Sequence, residues 1–107
     1  MPIQEIDPKG LQQRLEAGEA IVLIDVREAS EKEIADLGGA LIPMKEVPTR
    51  LAEIPRDVPV VIYCRSGGRS GRVVADLQAQ HGYTNLMNLR GGTLQWSDDV
   101  DPSMKKY

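Results

Sequence analysis

Val60-Val61-Ile62-Tyr63-Cys64-Arg65-Ser66-Gly67-Gly68-Arg69-Ser70-Gly71-Arg72 is the segment on which the reading of this chain turns. An apolar run without Pro or Gly ends at the only cysteine. A short loop of Gly, Ser and Arg follows, and helical spacing then begins with Val73, Val74 and Leu77. A continuous apolar run of this kind fits a central strand covered on both faces. A strand, a nucleophile, an anion-friendly loop and a helix start therefore lie within a few residues of each other.

The chemistry of the segment follows from the thiol. Cysteine attacks as thiolate, and helix N-termini or nearby cations lower its pKa from about 8.5 to roughly 3.5–7.5. The N–H groups of residues 65–70 are free to point at the sulfur or at an anion beside it if the loop curls. Gly67 and Gly68 permit the positive φ that curling needs. Arg65, Arg69 and Arg72 add positive charge and can grip an oxyanion with paired hydrogen bonds. A lone cysteine is more often a buried structural residue. Three arginines and the pair Gly67-Gly68 within eight residues of this one make that reading poor.

Outward from the segment, the chain alternates strand and helix signals. Ile3 to Ile6 reads as a short edge strand. Asp7-Pro8 reads as a cap followed by proline in the first turn of a helix bearing Leu11 and Leu15, and Gly18 ends it. Ala20 to Val26 reads as a second buried strand interrupted by Asp25. Asp25 either fixes the following turn or takes part in a site at the strand ends. Ser30 with Glu33 reads as a capping box. Ala40 to Ile42 is a short strand, Met44 to Ile54 a short helix with Pro48 near its start, and Asn85 to Leu89 the last strand. His81 and Gly82 fit a helix C-terminus better than a base for Cys64, which lies a whole helix away. Thr93 reads as the cap of a final helix carrying Leu94 and Trp96, with Trp96 in the core. Residues 98–107 form a polar tail expected to be partly mobile.

Composition bounds the rest. The chain has 107 residues, a net charge of −3 and one cysteine. It reads as one domain over residues 1–107. The acidic balance argues against nucleic-acid binding, and no CxxC pair exists for zinc or dithiol chemistry. No metal or cofactor is expected. No apolar run approaches the roughly 20 residues of a membrane span, and no signal sequence opens the chain. The expected location is the cytoplasm.

Cys64-Arg65-Ser66-Gly67-Gly68-Arg69-Ser70 resembles the active loop of rhodanese-like sulfurtransferases. Three more segments match the same family in order: Leu23-Ile24-Asp25-Val26-Arg27-Glu28, Gly38-Gly39-Ala40-Leu41-Ile42-Pro43, and Asn88-Leu89-Arg90-Gly91-Gly92 with Trp96 after it. The resemblance implies an α/β fold with a five-stranded parallel sheet and helices on both faces. It implies a persulfide carried on Cys64, with Arg65, Ser66, Gly67, Gly68, Arg69 and Ser70 as the surrounding loop. It places Asp25 and Arg27 behind that loop as supporting residues. The histidine common before the Gly-Ala element is missing, since this chain has Ala35-Asp36-Leu37-Gly38-Gly39. The longer stretch from Glu33 to Pro43, and Val100-Asp101-Pro102-Ser103 with Tyr107, is similar instead to the C-terminal domain of MoeB/ThiF-type sulfur-carrier-protein adenylyltransferases.

The resemblance implies sulfur transfer from thiosulfate or a persulfide donor to a thiophilic acceptor. The partners it implies include a ubiquitin-like sulfur-carrier protein or a cysteine desulfurase. The domain would then act as a relay in thiamine, molybdopterin or tRNA thiolation. A cysteine phosphatase related in fold has five residues between Cys and Arg. Here four separate Cys64 from Arg69, so the bowl is smaller and suits sulfur better. A non-catalytic interaction module is the remaining alternative, and under it Cys64 would be dispensable.

Overall fold

The computed structural model describes residues 2–107. Five strands form one parallel sheet in the order β1-β5-β4-β2-β3. They are β1 (Glu5–Ile6), β2 (Val22–Asp25), β3 (Ala40–Leu41), β4 (Val60–Tyr63) and β5 (Leu86–Leu89). Strand β4 is central and buried along its whole length. Four helices accompany them: α1 (Pro8–Glu16), α2 (Ala29–Ile34) and α3 (Gly68–His81) between strands, and α4 (Gly92–Asp99) after β5. The expected α/β class and five-stranded parallel sheet are thus observed.

Side chains of β4 alternate between two cores, as a pleated strand requires. Val60, Ile62 and Cys64 join Ile24, Val26, Val73, Val74 and Leu77 on the side of α3. Val61 and Tyr63 join Leu11 and Leu89, with Leu15 and Trp96 packed against them on the side of α1 and α4. Burial of this kind stabilises by about 25 cal/mol per Å² of apolar surface. It also pins the strand register, so Cys64 leaves β4 toward α3 and nowhere else.

Several local expectations shift. The cap of α2 is Glu28 rather than Ser30, and Glu31 rather than Glu33 returns to it: the Glu31 carboxylate accepts from the Glu28 N–H at 2.9 Å. Residues 44–54 form two 3₁₀ turns, Met44–Thr49 and Leu51–Glu53, rather than one α-helix. Pro48 lies inside the first turn and lacks the N–H that an α-helical ladder needs. The last helix begins at Gly92 with Gly91 as its cap, so Thr93 is an interior, fully buried residue. By contrast, Asp7 caps α1 through Gly10 N–H at 2.8 Å, and Gly82 closes α3 at φ 69°.

The segment from residue 98 opens inside α4, which runs to Asp99. Beyond it the chain folds back. Ser97 Oγ donates to the Met104 carbonyl at 2.7 Å. The Tyr107 hydroxyl accepts from Arg27 Nη1 at 2.9 Å and donates to Glu31 Oε1 at 3.2 Å.

Candidate active site

Cys64 follows the last residue of β4, at the carboxyl end of the central strand, where open α/β sheets gather ligands. The chain then curls through Arg65 and Ser66 into the first turn of α3. Gly67 stands at φ +99°, a left-handed conformation that side chains rarely adopt. Gly68, also expected to need a positive φ, is instead the first residue of the helix. The curl brings three donors to one sulfur. Gly67 N–H lies 3.1 Å from Cys64 Sγ, Ser70 N–H 3.4 Å, and the Ser70 hydroxyl 3.3 Å.

These donors decide the thiol's acidity. Cys64 is only 1% exposed. Burial pushes its pKa up, but the Ser70 hydroxyl and the N–H groups of Ser70, Gly67 and Ser66 together pull it below the ordinary thiol value. The N-terminal turn of α3 has four N–H groups without helical acceptors, so aiming them at sulfur satisfies donor and acceptor together.

A second set of contacts holds the loop from outside. Thr93 N–H donates to the Cys64 carbonyl at 3.0 Å and Leu94 N–H to the Arg65 carbonyl at 3.1 Å. The start of α4 is therefore spent on the backbone of the loop rather than on a ligand. Gly92 makes this approach possible: a Cβ there would stand 2.4 Å from the Cys64 carbonyl oxygen and 2.5 Å from that of Arg65.

The two flanking arginines have different surroundings. Both Nη atoms of Arg69 bind Glu31, at 2.8 and 2.7 Å. The Arg69 guanidinium, outweighing partial burial, lowers the Glu31 carboxyl to about 2. Arg65 has no ion-pair partner among the described residues; its Nε is buried without an acceptor, and its guanidinium carbon lies 5.1 Å from the Tyr107 ring. Arg72 points to solvent.

Asp25 and Arg27 lie at the end of β2, beside the end of β4, and neither is exposed at all. Arg27 Nε and Nη2 bind the two carboxylate oxygens of Asp25 at 2.9 and 2.7 Å, and Asp25 Oδ1 also accepts from Arg27 N–H. Arg27 Nη2 reaches the Ala35 carbonyl at 2.7 Å as well. Neither residue contacts Cys64 through a hydrogen bond among the described residues; they fasten α2 and Tyr107 to the sheet beside the loop. Burial alone would make Arg27 easier to deprotonate, but Asp25 and Tyr107 hold its pKa above the ordinary value.

Asn88, Glu31, Gly92 and Tyr107 complete the site although the sequence reading gave them no role there. Asn88 Oδ1 sits 2.5 Å from Ser70 Oγ. Its position inside an apolar strand was the one available signal. The hollow of about 430 Å³ lined by Gln4, Ala75, Ala79 and Tyr83 includes none of the loop residues.

The family model described as "Rhodanese-like domain" matches residues 7–99. The chain belongs to the rhodanese-like domain family. It is 45% identical over 96 residues to a protein named "Sulfurtransferase" from Allochromatium vinosum, covering 89% of each chain. It is 34% identical over 105 residues to "Probable adenylyltransferase/sulfurtransferase MoeZ" of Mycobacterium tuberculosis. That match takes in 95% of this chain but only 26% of the larger protein. Among solved structures, the rhodanese-like domain protein of Staphylococcus aureus superposes with a TM-score of 0.81 at 27% identity, over 92% of this chain and 95% of that one. Family and fold thus agree with the resemblance carried by the four segments, including its MoeB/ThiF-type branch. No helix among the described residues is long and apolar enough to cross a membrane.

Proposed function

We propose that this domain transfers sulfane sulfur through a persulfide on Cys64, with thiosulfate as a competent donor. The observation that carries the reading is the convergence of Gly67 N–H, Ser70 N–H and the Ser70 hydroxyl on Cys64 Sγ at 3.1–3.4 Å. Such preorganised donors stabilise the thiolate before attack and an anionic persulfide after it. The Cys64 thiolate forms an S–S bond to the outer sulfur of thiosulfate. The donor's own S–S bond breaks, and its electron pair leaves with sulfite. An acceptor such as cyanide then takes the outer sulfur, and the thiolate returns. Two displacements through one covalent intermediate give ping-pong kinetics.

Ser66 and Gly68 form the exposed rim of the bowl. Arg65 takes the sulfonate oxygens of the donor, since its guanidinium is uncommitted, whereas Arg69 is tied to Glu31 and braces the loop. Asp25 and Arg27 act only by holding the neighbouring elements. Use of a free thiol requires a reducing compartment, and the cytoplasm supplies one. The physiological acceptor is a sulfur-carrier protein or another persulfide relay. The coupling of adenylyltransferase and sulfurtransferase in the name of the Mycobacterium relative supports that assignment.

Intact mass after incubation with thiosulfate tests the reading. One sulfur atom should be gained by the wild type, lost again to cyanide as thiocyanate, and never gained by Cys64→Ser. A wild type that stays unmodified removes thiosulfate as a direct donor.

A further inference from the structure

A chain of hydrogen bonds runs behind Cys64 into the sheet. Asn88 lies on β5, 2% exposed, one strand from the nucleophile. Its Nδ2 donates to Glu5 Oε2 at 2.9 Å and to the Gly67 carbonyl at 3.1 Å. A carboxylate and a carbonyl only accept, so they fix the amide with Oδ1 turned toward Ser70. Ser70 Oγ stands 2.5 Å from that oxygen. An amide oxygen has no proton to give, so the Ser70 hydroxyl donates across this short contact. The same hydroxyl lies 3.3 Å from Cys64 Sγ and has a single proton. Among the described residues, Ser70 Oγ contacts no other hydrogen-bonding group.

We propose that Asn88 is a positioning residue for the reaction: it competes with the Cys64 thiolate for the one Ser70 hydroxyl proton and thereby limits how far the thiolate is stabilised. This rests on the reading of Cys64 as a working thiolate. In the thiol state every group is satisfied, because S–H donates to Ser70 Oγ and Ser70 O–H donates to Asn88. In the thiolate state the hydroxyl turns to sulfur and leaves Asn88 Oδ1 without a donor. When a sulfur is added, the negative charge moves outward, Sγ becomes neutral and the hydroxyl turns back. A thiolate held less tightly is the better nucleophile, since nucleophilicity falls as the thiol pKa falls. The arrangement therefore favours movement of charge off Sγ, which is the loading step.

Other charges surround Cys64, and they stay in place in the test below. Arg69 comes from α3 and is tied to Glu31 of α2. Arg65 belongs to the loop, and the Asp25–Arg27 pair with the Tyr107 phenol lies at the end of β2. Glu5 of β1 stands behind Asn88.

The test is the pH dependence of Cys64 alkylation by iodoacetamide on the folded chain, with no sulfur donor present. Asn88→Leu should lower the apparent pKa by about one unit, tenfold in thiolate fraction at a pH well below it. Ser70→Ala should raise it. In the Ser70→Ala background, Asn88→Leu should leave it unmoved, which a merely structural effect on the loop would not do. An unchanged or raised pKa for Asn88→Leu overturns the proposal, as does a shift that survives Ser70→Ala. The Gly67 carbonyl keeps its bond from Gly71 N–H at 3.0 Å in the variant. Should Asn88→Leu not fold, Asn88→Ala removes the same competing oxygen from the Ser70 hydroxyl. Its pKa should fall likewise, and an unchanged value overturns the proposal. Failure of the donor assignment shows separately, as an absent persulfide with these alkylation profiles intact.

Discussion

Asp25→Ala is expected to be among the most destabilising single substitutions in this chain. It leaves the Arg27 guanidinium, 0% exposed, without the carboxylate that binds it at 2.7 and 2.9 Å. Removing one partner of a buried ion pair costs about 3–5 kcal/mol, because the remaining charge stays buried and unpaired. Arg27 retains the Ala35 carbonyl and the Tyr107 hydroxyl, which places the cost toward the lower end of that range. Domains of this size have total stabilities of about 5–15 kcal/mol, so a large part is removed. Urea denaturation followed by circular dichroism reads the effect. With a slope of about 2 kcal/mol per M, the midpoint should fall by about 1.5–2 M. The double variant Asp25→Leu/Arg27→Met, which removes both charges and keeps the volume, should recover more than half of the loss. A midpoint within about 0.5 M of wild type for Asp25→Ala would mean that water reaches Arg27, and the account of the pair as a sealed fastening would fail.

Gly92→Ala drives a Cβ into the carbonyls of Cys64 and Arg65 and strains a residue at φ +59°. It should cost about 2 kcal/mol or more and abolish persulfide formation by displacing the loop, as mass measurement and melting together would show. The Arg69–Glu31 pair predicts an acid-sensitive stability increment. The Glu31 carboxyl lies at about 2 in the fold against 4.5 for the free group, so the increment is full above pH 4.5 and disappears as pH falls from there through 2. After allowance for the 38% exposure of the Arg69 side chain, it amounts to about 1–2 kcal/mol. In Glu31→Gln the difference from wild type should be present at pH 7 and vanish near pH 2; a gap independent of pH refutes the assignment. Arg65→Ala should raise KM for thiosulfate at least about tenfold, the usual scale for losing one charged hydrogen-bonding group. Loading by a neutral persulfide donor should change little, and equal losses with both donors would contradict a role in binding the sulfonate.

The legible parts of this protein are those in which function and fold are written in adjacent residues. Cys64 to Ser70 is a continuous segment, and its donors come from its own backbone and the Ser70 hydroxyl, so residue types alone disclose the bowl. The continuous apolar run of Val60 to Tyr63 likewise discloses a strand buried on both faces. Asn88, Glu31 and Tyr107 could not be read this way. They reach Ser70, Arg69 and Arg27 across 18, 38 and 80 residues of chain, and only the order of strands in the sheet brings them near. Local errors have local causes. Glu28 displaced Ser30 as the cap of α2 because a carboxylate three residues on returns to its N–H, a pattern that Ser30 with Glu33 imitates two positions later. Thr93 looked like a cap, but Gly91 and Gly92 supply the left-handed turn that starts α4 and free Thr93 N–H for the Cys64 carbonyl.

The 1% exposure of Cys64 also bears on what the site refuses. In the proposed persulfide the outer sulfur lies about 2 Å from Sγ, and the rim of the bowl is formed by Ser66 and Gly68, which meet solvent. The empty nucleophile is thus screened from bulky electrophiles, while on the proposed mechanism the atom to be handed on lies nearer the rim. Burial makes the loaded and unloaded forms different objects to a passing molecule. On the proposed mechanism an acceptor need never enter the bowl.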